Sequence, residues 1–320
     1  MEKAMQPLLE RELHFNQFAT QVLLPFAERF PLHYLTGNKG IRLAYRHFQH
    51  PKPADNLLIL INGRAENLLK WTEIAFDFYQ LGYDILVFDH RGQGYSDRLL
   101  TDKEKGYIDQ FRFYVDDLDC LIQHIVNQNS YKHQYLFAHS MGGLIATFYL
   151  ANYPHHIDKA VLSAPLFGLP RKHLWRDKLL VALLILLGQS QSYVFGYGAY
   201  RPANLHKNHL SYCKTRIKWH NRIYQAFPQL RIGGPTFAWL HQIFNAFNRL
   251  PQEIKQVEIP LLILEAGQDK VVSNAKIEQF SSLFRQAKLY KLPKAQHEIL
   301  FEKDPIREKA LQSIQHFFTQ

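Results

Sequence analysis

A serine, an aspartate and a histidine can together cleave an ester. The hydroxyl attacks, the imidazole takes its proton, the carboxylate orients and supports the imidazolium, and backbone N–H groups receive the oxyanion. Ser140 is the first such residue that the chain singles out. In YLFAHSMGG, residues 135–143, Tyr135, Leu136 and Phe137 read as a short buried strand. Leu144, Ile145, Phe148, Tyr149 and Leu150 recur at helical spacing, so the chain turns from strand to helix within 138–143. Ser140 sits at that turn between small Ala138 and Gly142, where a bulky side chain would strike the other arm. The expected product is an elbow that holds the hydroxyl above a sheet, with the next N–H groups at the positive end of a new helix. Taken alone, the pattern equally fits a strand-to-helix loop whose serine only caps the helix.

The partners expected of such a serine lie in loops at the carboxyl ends of later strands. After the apolar run 260–265 comes AGQDKVV, which leaves Asp269 beyond the strand; after 287–292 comes PKAQHEIL, which leaves His297 in the next such loop. The order Ser140, Asp269, His297 is that of the α/β-hydrolases rather than of chymotrypsin or subtilisin. The chain has 17 histidines, so a histidine as such means little, and His297 stands out only because it follows the last strand-like run. The competing readings are that Asp269 caps the following helix, and that Glu265, inside the strand pattern, is the acid. His139, next to the serine, is expected to point away from it and serve packing. Asp116 and Asp117 fall in an amphipathic helical pattern and are expected on a solvated face.

Two further loops belong to the same end of the sheet. INGRAE, 61–66, follows the strand-like run 57–60, where a second oxyanion donor arises, so the backbone N–H groups of Arg64 and Met141 are the expected pair. DHRGQGYSD, 89–97, has neither the G-x-G-x-x-G pattern nor a GK[ST] ending, and is expected to be a tight structural loop beside the site rather than a phosphate cradle.

Positioning these loops requires a parallel sheet. Strand-like runs at 41–47, 57–62, 84–89, 135–138, 160–164, 260–267 and 287–292 alternate with helical patterns at 69–80, 114–126, 144–151, 274–284 and 306–318. That alternation predicts a mostly parallel sheet covered by helices on both faces. It stops between Pro165 and Pro260, where an apolar helical run, 179–187, and further helical pieces over 225–250 suggest a cap inserted into the core. The expected division is a core of 1–166 and 251–320 with a cap of 167–250.

At 320 residues and 47% hydrophobic content the chain can bury a large core. Its two cysteines, Cys120 and Cys213, have no metal-binding or redox spacing, and neither a metal nor a cofactor is expected. The first 26 residues mix acids and bases without an apolar core or cleavage signature, so a signal peptide is not expected; Leu8, Leu9, Leu13, Phe15, Phe18 and Val22 suggest an amphipathic helix instead. The nine-residue run 179–187 is too short for the ~20 residues of a membrane span. Charge is concentrated: residues 167–250 hold twelve Lys and Arg against one acid, Asp177, within a chain of net charge +10. An anionic partner is therefore expected there, through a patch such as Lys214, Arg216, Lys218 and Arg222. The leucines of 179–187 are expected either to pack the cap or to line an acyl channel.

AHSMGG, DHRGQGYSD, GQDKVV and the terminal HEILFEKD resemble the monoglyceride-lipase-like branch of the α/β-hydrolases. NGRAE, YVDDL, RIGGPT at 231–236 and HEILFEKD narrow the likeness to the bacterial inner-membrane lysophospholipases. The chain departs from the broader pattern at Ala138, where glycine is commoner, and at Asn62, where a histidine commonly precedes the oxyanion-loop glycine. The resemblance implies hydrolysis of the remaining acyl ester of a lysophospholipid, acyl transfer to phosphatidylglycerol as an added activity, and a peripheral place on the cytoplasmic side of an inner membrane. The rival readings are a monoacylglycerol lipase, an esterase or thioesterase on a soluble acyl substrate, and a non-enzymatic anion binder. For the last no nucleic-acid motif is present, and no nucleic acid is expected. Oligomeric state is not legible.

Overall fold

The computed structural model describes residues 10–320; Leu8 and Leu9 of the N-terminal amphipathic pattern lie outside the described residues. Two short helices, α1 (Phe15–Phe18) and α2 (Leu24–Glu28), are joined by a π-helical turn and bury Phe15, Ala19, Leu23 and Phe26. Eight strands follow: β1 (His33–Thr36), β2 (Arg42–Phe48), β3 (Asn56–Ile61), β4 (Tyr83–Phe88), β5 (His133–His139), β6 (Ile157–Ser163), β7 (Leu261–Ala266) and β8 (Ala287–Leu292). Between strands run α3 (Thr72–Gln80), α4 (Arg112–Val126) and α5 (Met141–Asn152). The β6–β7 connection carries α6 (Leu174–Leu186), α7 (Lys214–Ala226) and α8 (Phe237–Ile254); α9 (Asn274–Ser281) and α10 (Asp304–Thr319) complete the chain.

The strands make one sheet in the order β1-β2-β4-β3-β5-β6-β7-β8. β2 is antiparallel to both β1 and β4, and all later pairs are parallel. The central strands show why. NLLILI in β3 and LLILEA in β7 are buried almost end to end, as parallel strands covered on both faces must be. On one face α3 and α10 meet through Phe78 and Phe318, and the latter also stacks near Tyr83 and Tyr135. At the free edge β8 keeps Lys288 and Lys291 exposed, which discourages pairing with another chain. This is the α/β-hydrolase fold expected from the alternation of elements.

Three local expectations need correction. The sequence reading lacks β1, whose HYLT is mostly exposed and has no apolar run; it is a strand because β2 offers it an edge, in register from His33 opposite Tyr45 to Thr36 opposite Arg42. Between the helical run 179–187 and residue 225 the sequence reading places no helix, yet α7, KTRIKWHNRIYQA, lies there, and its inward face carries Arg216, Ile217, His220, Ile223 and Tyr224. Asp117 is not solvated. It is buried on α4, accepts two hydrogen bonds from the Arg91 guanidinium at 2.6 Å, and takes a third from Asn38 N–H, anchoring the 89–97 loop.

Arg216 is also fully buried, against the expectation of a surface patch. Its guanidinium meets both oxygens of Glu73 on α3 (2.8 and 2.9 Å), Asp304 Oδ1 on α10 (2.8 Å) and the Glu302 carbonyl (2.9 Å). Arg307 joins through Asp77 at 2.5 Å, and Arg11 bridges Asp77 and Glu73 at 2.8 and 3.2 Å. Burial alone would raise the Glu73 carboxyl, but Arg216, Arg307 and Arg11 overcome that and hold it far below the usual carboxylate range. Among the described residues no helix is long and apolar enough to cross a membrane.

Candidate active site

Ser140 occupies the turn between β5 and α5 with φ 52° and ψ −116°, a region that L-residues avoid. Its surroundings compel the conformation: Ser140 N–H donates to the Ser163 carbonyl (3.0 Å), while its own carbonyl accepts from Gly143 (3.0 Å) and Leu166 (2.9 Å). A Cβ at Gly142 would stand 2.4 Å from the Ile61 carbonyl oxygen and 2.6 Å from that of Asn62. These are backbone atoms of a central strand and its end, so they have no room to yield. Gly142→Ala should therefore displace the elbow and lower ester turnover by at least about a hundredfold, the scale set by an angstrom of misplacement. Assays of the folded variant check this; activity near wild type would show that the elbow has slack.

Beyond β7, Asp269 is held by its own loop: its Oδ1 accepts the N–H groups of Val271 (2.7 Å) and Val272 (3.0 Å), leaving Oδ2 for His297 Nδ1 at 2.7 Å. The helix-capping role belongs instead to Ser273, whose side chain accepts from Lys276 at the start of α9. His297 Nε2 lies 2.9 Å from Ser140 Oγ. With Nδ1–H donating to the carboxylate, Nε2 is the acceptor for the serine hydroxyl. Glu265 stays in the strand beside Lys291 Nζ at 3.6 Å and does not reach the imidazole. His139 is closer to the site than expected: its ring centroid is 4.7 Å from that of His297. Burial pushes its imidazole down to about 4, so at neutral pH it is an uncharged wall behind the His297 ring.

The 61–66 loop approaches Ser140 so closely that a Cβ on Gly63 would be 3.3 Å from the serine Cβ. Gly63 N–H donates to Glu66 Oε2 (2.5 Å) and Ala65 N–H to Gln93 Oε1 (3.0 Å), which leaves Arg64 N–H without an acceptor among the described residues. Met141 N–H, first in α5, is likewise unclaimed there, as the leading N–H groups of a helix are. Two residues that spacing could not reveal set this loop. Gln93 clamps it, donating to the Gly63 carbonyl (3.1 Å) while accepting from Ala65. Lys70 bridges Glu66 and Glu298 at 2.6 Å each, tying the loop to the neighbour of His297. Burial would raise Glu66, but Lys70 and His139 hold it down at about 2.

Ser140, Met141 and His297 open into a cavity of about 590 Å³ whose far side is built by the β6–β7 connection, with Val194, Tyr197, Tyr200, Tyr224 and Trp239 among its walls. Its lining combines apolar surface with Arg64, Arg171 and Arg201. Among the described residues no group of three His, Cys, Asp or Glu side chains could hold a metal ion.

Comparison with known proteins gives a consistent picture. A family model described as serine aminopeptidase, S33 (Hydrolase_4) matches residues 52–304. The chain is 53% identical to a probable lysophospholipase L2 of Haemophilus influenzae, over 96% of this chain and 98% of that one. It is 32% identical to lysophospholipase L2 of Escherichia coli, over 97% and 94%. Among solved structures, a soluble variant of monoglyceride lipase from Saccharomyces cerevisiae superposes with a TM-score of 0.72 at 20% identity, covering 90% of this chain and 94% of that one, which speaks to the fold alone.

Proposed function

This chain belongs to the serine aminopeptidase S33 family of hydrolases and to its lysophospholipase L2 members, and from that membership we propose that it hydrolyses the remaining acyl ester of lysophospholipids through an acyl-serine intermediate. The observation that carries the reading is the hydrogen-bonded line from Asp269 through His297 to Ser140 Oγ, opening into a cavity both apolar and cationic. Ser140 attacks the ester carbonyl as His297 Nε2 takes its proton, and Asp269 holds the ring in the tautomer that permits it. The tetrahedral oxyanion is received by the N–H groups of Arg64 and Met141. His297 then protonates the departing glycerophosphodiester alcohol, and water, activated by the same imidazole, releases the fatty acid. Residues 167–250 form the cap, walling the cavity against bulk water. Purified protein should release fatty acid from lysophospholipids faster than from soluble thioesters or short-chain esters of equal concentration. A preference for the soluble substrates would sink the lipid reading, and phosphatidylglycerol added as acceptor would separate acyl transfer from hydrolysis.

The cap also supports peripheral attachment to an anionic membrane, through a different surface from the one the sequence suggested. Of the suggested patch, Arg216 is buried and Arg222 is hydrogen-bonded to Asn16. The leucines of 179–187 are not a channel lining either. Val181 points inward, whereas Trp175 (59% exposed), Leu179 (63%), Leu183 (52%) and Leu186 (84%) recur along one outer face of α6. Exposed Lys172 and Arg176 flank the start of that helix. An apolar stripe beside a basic cluster fits the interface of an anionic bilayer, with leucines in the acyl boundary and cations at the phosphates. Replacing Leu179, Leu183 and Leu186 by Ser should weaken co-sedimentation with phosphatidylglycerol vesicles by at least about tenfold, since each leucine buried in apolar surroundings contributes about 1.5–3 kcal/mol. Replacing exposed Lys214 and Lys218 by Gln should change it little. Equal sedimentation of the triple-serine protein would rule out α6 as the contact.

A further inference from the structure

Two features of this site remain unused by the chemistry above: the Arg64 side chain and the cap motif RIGGPT. The structure joins them. Arg64 leaves the oxyanion loop and crosses toward the cap, where its Nη1 donates to the Gly233 carbonyl (2.9 Å) and its guanidinium carbon lies 5.5 Å from the Trp239 ring centroid. The glycine pair makes this possible. A Cβ on Gly233 would stand 2.3 Å from the Gly198 carbonyl oxygen, and one on Gly234 2.3 Å from Tyr197 Cβ, so only glycines let the 196–199 backbone close in beside the guanidinium.

What the site lacks is a counter-ion. Of the other cations on the cavity wall, Lys70 is held between Glu66 and Glu298, and Arg171 is paired with Asp177 at 2.9 Å. Arg64 has no carboxylate within ion-pair distance among the described residues; burial disfavours its charge, and the groups that oppose this are the hydroxyls of Tyr197, Tyr114 and Tyr224. Arg201, with no ion pair among the described residues, is an exposed residue of the same lining. A guanidinium that is half-buried, oriented by a carbonyl and backed by an indole, with donors to spare, is suited to a phosphate oxygen pair. Such a residue also stands at the right remove: its N–H serves the ester end of the substrate, and its side chain spans a length comparable to the glycerol unit that separates the ester from the phosphate.

We infer that the Arg64 guanidinium clamps the phosphodiester of the substrate head group, so that one residue registers both ends of the glycerol unit and distinguishes a lysophospholipid from a neutral monoacylglycerol. The inference rests on the lysophospholipase reading. It is tested with the full-length protein by measuring kcat and KM in mixed micelles on a lysophosphatidylethanolamine and on a monoacylglycerol of the same acyl chain. Arg64→Gln should raise KM for the phosphodiester substrate about tenfold or more while moving that for the neutral ester much less, and Arg64→Lys should recover part of the difference. The deacylated glycerophosphodiester should compete with monoacylglycerol hydrolysis in the wild type and lose this ability in Arg64→Gln. Equal losses on both substrates would show a disturbed oxyanion loop and overturn the clamp, as would no loss on either. Wild type that cleaves monoacylglycerol but no lysophospholipid would overturn the functional reading itself, and the clamp with it, before any substitution is made.

Discussion

Ser140→Ala and His297→Ala each lower ester turnover by at least about three orders of magnitude while the fold persists, because what is removed is the covalent route and not the packing. The elbow does not depend on the hydroxyl: the bonds that hold it are made by the Ser140 backbone, and alanine retains the Cβ that already tolerates φ 52°. Asp269→Asn is the more searching variant. Its side-chain carbonyl can keep the Val271 and Val272 N–H groups, but the amide nitrogen then faces His297 Nδ1 and selects the wrong tautomer, so a loss of about ten-thousandfold is expected with little change in stability. Glu265→Gln should leave turnover near wild type. Steady-state assays with thermal melts on the same preparations check all four. Appreciable turnover by folded Ser140→Ala, or a crippled Glu265→Gln beside an active Asp269→Asn, would break the assignment.

The largest effect on stability is expected at Glu73. It is the shared acid of Arg216 and Arg11, with Arg307 Nε also within 3.6 Å, and its removal strands guanidinium groups that are buried with almost no access to water. Breaking a buried pair in this way costs about 3–5 kcal/mol, far more than a surface ion pair contributes. Glu73→Ala should lower the midpoint of chemical denaturation accordingly, and Arg216→Ala should cost a comparable amount for the mirrored reason. The double variant should cost less than the sum of the two, since the second substitution removes the charge that the first left unpaired. Additive losses, or a Glu73→Ala protein within about 1 kcal/mol of wild type, would mean that water or rearrangement supplies the missing partner.

The two predictions also mark how far the sequence could be read. The order Ser140, Asp269, His297 was visible because an α/β alternation places loop residues at the same end of the sheet, so topology substitutes for distance. β7 was legible from its apolar run and β8 as a strand-like run, the latter matching its expected limits. β1 was not, because an exposed four-residue edge strand is made by its neighbour rather than by its own pattern. The failures in the cap share one cause. A sequence reading places charge outside and leucine inside, yet Arg216 finds its acid 143 residues away in α3, and α6 shows Leu179, Leu180, Leu183 and Leu186 to solvent. Asp117 misled in the same way, since its partner Arg91 belongs to a loop whose glycines, not its arginine, attracted notice. Arg64 was singled out for its N–H alone; the direction of its side chain depends on Gly233 and Trp239, which no local spacing connects to it.

The same ionic cluster constrains motion. An acyl chain must enter a cavity whose far side is built by the β6–β7 connection. α7 is the fixed part of that wall, because lifting the helix would pull Arg216 out of Glu73 and Asp304 and expose three arginines and three acids at once, an excursion as costly as partial unfolding. The stretch between α6 and α7 has no such anchor in the cluster, contains no long helix or strand, and supplies Val194, Tyr197 and Tyr200 to the cavity wall. That stretch is held instead by bonds of its own: Val194 N–H donates to the Pro235 carbonyl (2.9 Å), Tyr200 N–H to Glu104 Oε2 (2.7 Å) and Ser211 Oγ to the Phe301 carbonyl (2.8 Å). The α7 flank of the cavity is thus a fixed wall to which any acyl chain has to conform.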